Sequence, residues 1–126
     1  MGQFVDKVLK ELNKSEQDLQ KEKVEQFVEE ATIECNQQIA TLETSVIPGL
    51  NLKLQREEKA LEKAKKAFEI AKFSSAYNFE EYLQNRESAK DNVEAAENNV
   101  KSVKNQITEN EDKLAEFKSI LADFTS

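Results

Sequence analysis

The chain has 126 residues, 38% hydrophobic and 34% charged, with two Gly, one Pro, one Cys and neither His nor Trp. That length bounds it to a single domain, and so few turn-forming and aromatic residues exclude a sandwich or barrel, leaving an all-α fold. A net charge of −7 raises the free energy of approach to phosphate backbones and argues against nucleic acid as a partner; the lack of histidine excludes catalytic triads, His-ligated zinc and carboxylate–histidine di-metal bundles.

Phe4, Val5, Val8, Leu9 and Leu12 make an amphipathic run, so residues 3–14 are expected as a short N-terminal helix that either stands alone or continues into the next one, since no breaker separates them. The N-terminus lacks the charged and apolar regions of a signal peptide, and no run approaches the roughly 18 apolar residues of a membrane span. Val24, Val28, Ala31, Cys35, Ile39, Leu42 and Val46 then place an apolar stripe on a helix over 15–46, opened by Ser15 and Asp18 as a capping box. Cys35 is the single cysteine and sits between Glu34 and Asn36. With no base nearby it reads as a small buried apolar residue, in a chain that needs no oxidising compartment. A cytoplasmic setting, or an intracellularly assembled particle, is the expected location.

Val46-Ile47-Pro48-Gly49 holds the only proline. Pro48 removes a backbone donor and biases Ile47 away from helical geometry, while Gly49 permits positive φ, so a break is expected there. Leu50, Leu54, Glu57, Leu61, Ala64, Phe68 and Ala71 resume a four-three spacing and predict a helix over 50–73. Residues 49–73 carry a net charge of +3 between flanks of −5 each. Without aromatic–basic interleaving, this strip reads as an electrostatic match to the chain's own neighbours. Small residues at Ala60, Ala64, Ala67 and Ala71 are expected to pack closely on Ala89, Ala95 and Ala96.

A turn is expected at Ser74–Asn78. Asn78 followed by Glu81 reads as a capping box, with Tyr77 and Tyr82 as a hydrophobic staple. The last helix, over 79–124, carries the clearest seam: Phe79, Tyr82, Ala89, Val93, Ala96, Val100, Val103, Ile107, Leu114, Phe117, Leu121 and Phe124, interrupted by Arg86 and Asn110. A polar residue in such a seam fixes register at a cost in stability, the role expected of Asn110 and, with Arg86 and Glu57, weighed against long stems whose charges reach water.

Two architectures satisfy this spacing, both elongated single-domain, coiled-coil-like bundles of two to four helices. If Pro48-Gly49 reverses the chain, a three-helix bundle leaves Val103, Ile107, Asn110, Leu114, Phe117, Leu121 and Phe124 as an interface for another chain. If it only kinks, the chain forms a long antiparallel helical hairpin in which residue 28 lies near 124. In either case Ile33, Leu52, Ile70, Leu83 and Ile120 form a second, off-seam stripe that suggests self-association or docking into a larger assembly.

The carboxylate pairs Glu29-Glu30, Glu57-Glu58, Glu80-Glu81 and Glu111-Asp112 lack the concave, partly dry site that acid–base chemistry needs, and no phosphate loop or short metal motif occurs. No catalytic residue, cofactor, metal or small-molecule substrate is expected. The expected function is that of a non-enzymatic structural or assembly component, such as a scaffold, spacer or virion-type part. The alternative is a transient adaptor, small acidic chaperone or helical-hairpin secretion partner.

Overall fold

A computed structural model of the chain describes residues 2–11, 17–73 and 78–126, and 97% of these are helical, with no strand among them. Among the described residues four helices occur in order: α1 (Gly2–Lys10), α2 (Gln17–Thr41), α3 (Ile47–Phe73) and α4 (Phe79–Thr125), with a π-helical turn at Leu42–Val46 joining α2 to α3. The arrangement is an all-α helical hairpin, in which the long helical stretch ending at Phe73 packs against α4. By contacts the chain divides into two compact units, residues 1–47 with 110–126, and residues 48–109. The connection over 74–77, the Tyr77 staple and the capping box from Ser15 to Asp18 fall outside the described residues or side chains.

In the first unit, α1, α2 and the last turns of α4 share one core. Val5, Val28, Cys35 and Phe124 are buried there, with Phe4, Leu9, Val24, Ala31, Phe117, Ile120 and Leu121 packed against them. Val28 is fully buried. It belongs to the same cluster as Phe124, the pairing expected of the hairpin. The ring of Phe4 meets Phe124 edge-on with centroids 4.9 Å apart, and Gln3 N donates to Ser126 O at 3.1 Å. The N-terminal segment is therefore a helix of its own, ending in a turn at Glu11 and lying against α2 and the end of α4. Lys7 and Lys10 in its last turn suit the negative end of the helix dipole.

The second unit pairs α3 with the first part of α4. Ala96, Val100, Val103 and Ile107 are buried, while Leu50, Leu54, Glu57, Leu61, Ala64, Phe68 and Ala71 are half-buried along the expected seam. Only part of the alanine set turns inward: Ala60, Ala67 and Ala95 are exposed. At the start of α4, Asn78 caps the helix, its Oδ1 accepting from Glu81 N at 2.7 Å, and Tyr82 N donates to Asn78 O at 3.1 Å. The Tyr82 hydroxyl donates to Lys72 O at 3.2 Å, tying the last turn of α3 to the first turn of α4.

The break expected at Pro48-Gly49 does not occur, and the chain does not reverse there. Ile47 is right-handed helical (φ −66°, ψ −47°), and no glycine has positive φ. The adjustment lies one turn earlier, where Ile47 N–H reaches back five residues to Leu42 O. Widening the turn ahead of Pro48 loosens the contact between its ring and the preceding carbonyls, which is how a helix carries proline in its interior. Thr44 Oγ1 takes part by donating to Ala40 O at 2.6 Å.

The same turn corrects the phase of the seam. Between Leu42 and Leu54 the apolar residues advance by three successive fours (42, 46, 50, 54), which at about 100° per residue overshoots three full turns by about 120°. Closing one turn through five residues withdraws about one residue's rotation, so Leu42 and Leu54 return to nearly the same face.

Candidate docking surface

The distal seam meets the chain's own helices. Val103 and Ile107 are buried in the second unit and Phe124 in the first, while Leu114, Phe117 and Leu121 are half-buried, the last two against the Val28 core. Asn110 is half-buried and belongs to the first unit. Arg86 is exposed, its charge in water. In the first unit Lys118 Nζ pairs with Glu43 Oε1 at 3.0 Å, with both side chains about half exposed.

What remains uncovered lies on the outer faces. In the second unit Ile70, Phe73 and Phe79 are 68%, 84% and 72% exposed, and Leu52 and Leu83 are also open to solvent. Four of these five flank the hairpin connection, on the last turn of α3 and the first two turns of α4. Phe79 stacks on Tyr82 with centroids 6.2 Å apart, and Lys72 Nζ sits 4.5 Å above the Phe68 ring. Leaving Ile70, Phe73, Phe79 and Leu83 in water forgoes, at about 1.5–3 kcal/mol for each fully buried side chain, on the order of 5 kcal/mol of stabilisation. These four side chains are the large apolar surface that the second unit leaves uncovered at this end, among the described residues.

The off-seam stripe read from the sequence is thus present at Ile33, Leu52, Ile70 and Leu83, whereas Ile120 belongs to the core of the first unit. Phe73 and Phe79 were not legible as surface. Phe79 falls on the seam by spacing, and the positions that would stand opposite it, beyond Phe73, lie outside the described residues.

The first unit has a depression of about 320 Å³ lined by Glu29, Thr32, Ile33, Phe124 and Thr125, whose one carboxylate and two hydroxyls include no nitrogen base. Glu29, Glu30, Glu58, Glu80, Glu111 and Asp112 are exposed, while Glu57 and Glu81 are half-buried. Among the described residues no group of carboxylates or thiols is placed to hold a metal ion, and no helix is long and apolar enough to cross a membrane. Comparison with protein-family models, curated proteins and solved structures finds no match for this chain.

Proposed function

We propose that this protein is a non-enzymatic assembly component, a helical hairpin that takes its place in a larger complex through its outer apolar side chains. The observation that carries this reading is the cluster Ile70, Phe73, Phe79 and Leu83, left exposed after the seam between the helices has closed. A hairpin that covers its own seam needs no partner to fold, so side chains of this size outside the seam contribute mainly to docking.

A photo-crosslinking residue placed at Phe73 or Phe79 in cells producing the protein tests the reading, with exposed Thr108 as the control position. Discrete covalent adducts are expected from 73 and 79 and none from 108. The absence of adducts at all three positions, with the protein folded and abundant, overturns it.

A further inference from the structure

The outer face of α3 in the second unit carries a basic triplet and that of α4 an acidic triplet, the latter edged by exposed Lys90 and Lys101. On α3, Lys59, Lys63 and Lys66 point away from the seam residues Leu61, Ala64 and Phe68; on α4, Glu87, Asp91 and Glu94 point away from Val93, Ala96 and Val100. All six charged residues are exposed. Both triplets have the same four-three spacing, which keeps three side chains on one helix face. Glu62 and Glu69 flank the basic triplet and pair with Lys66 at 3.7 Å and Lys72 at 3.2 Å. Both contacts lie within α3, so they leave the charges of α4 unanswered, and exposed pairs of this kind hold their partners weakly. Lys59, Lys63, Glu87, Asp91 and Glu94 make no ion pair among the described residues. Among the described residues, no ion pair within 4 Å joins the basic strip to α4.

The two triplets also lie level with one another. The bond from the Tyr82 hydroxyl to Lys72 O brings these two residues to about the same height on the antiparallel pair, to within the reach of a tyrosine side chain. Counting along both helices from that bond, Lys63 is level with Asp91, Lys66 is within one residue of Glu87, and Lys59 is within one residue of Glu94. Ile70 comes within one residue of Leu83 by the same count. These partners sit on opposite sides of one helix pair and cannot meet within it. A second copy moved sideways, without rotation, brings α4 of one molecule antiparallel to α3 of the next and places all three opposite charges, and the exposed Ile70 and Leu83, at matching heights.

From this register we infer that the occupant of the outer faces is another copy of the same chain, docked side by side through Lys59–Glu94, Lys63–Asp91 and Lys66–Glu87. The proposal deepens the assembly reading and rests on it. Because the two faces differ, the contact is heterologous and repeats from copy to copy without closing on itself. It is also weakened by salt, since the charges are exposed.

Sedimentation of the full chain at low and high ionic strength, with two charge-reversed variants, tests it. Wild type is expected to grow in mass with concentration at low salt and to dissociate at high salt. K59E/K63E/K66E has two acidic faces and E87K/D91K/E94K two basic ones, so each alone stays monomeric while the mixture associates. Circular dichroism checks that both fold, and the milder pair Lys63→Glu and Asp91→Lys, expected to weaken association at least about tenfold, serves if a triple variant does not. A wild type that stays monomeric at low salt, association unchanged in either variant, or a mixture that does not associate overturns the proposal. If wild type stays monomeric while residues 73 and 79 crosslink to a different protein, this inference fails and the assembly reading stands.

Discussion

Single positions in this chain divide sharply by what they touch. Gly49 is helical with ordinary φ, and a methyl group added there would meet nothing within 4 Å. Gly49→Ala therefore removes backbone freedom from the unfolded chain without strain in the folded one, and is expected to raise the urea-unfolding free energy by about 1 kcal/mol. Asn78→Ala acts in the other direction. It removes the acceptor for Glu81 N and should lower the same free energy by about 1 kcal/mol. The asparagine cap was legible from its spacing to Glu81, because capping is settled by a few adjacent residues. Gly49 misleads because local propensity speaks for a turn, whereas packing on both sides holds the helix through it.

At the scale of the element, the π turn explains both what the spacing revealed and what it concealed. Three successive fours from Leu42 to Leu54 already announce one residue too many for a regular seam, but the nearby Pro48-Gly49 draws attention to a break instead. The surplus residue makes a specific prediction. Deleting Ser45 together with Pro48→Ala lets the turn close as ordinary α-helix with Leu42 and Leu54 still in phase, so the thermal midpoint should change by only a few degrees. Deleting exposed Ser102 from α4 rotates everything beyond it by about 100° relative to the preceding seam and should abolish the cooperative melt followed by circular dichroism. The ends of elements were the least legible part. Whether Phe79 is core or surface depends on where the opposing helix stops, and that is set by long-range packing.

Over the whole molecule, the hairpin seam was readable and its division into two compact units was not, since an apolar stripe shows that a face is buried but not which contacts cluster. The hairpin makes the distal seam intramolecular, so Leu114→Asp with Phe117→Asp strikes the chain's own core. Burying two carboxylates costs several kcal/mol of a stability that is typically about 5–15 kcal/mol. Hydrogen exchange is expected to show protection lost over 1–47 and 110–126 and retained within 48–109. Uniform loss along the chain would mean that the two units fold only together.

The lone thiol turns that question into one of time. Cys35 is buried in the first unit, and the second unit contains no cysteine at all. An external disulfide reagent reacts with it only when the core around Val28 opens, so the labelling rate equals that of a free thiol multiplied by the open fraction. For an opening free energy of about 5 kcal/mol that fraction is roughly one in several thousand. Gly49 lies in the second unit, so a labelling rate left unchanged by Gly49→Ala means that the two units open separately, and a slower one means that they open together.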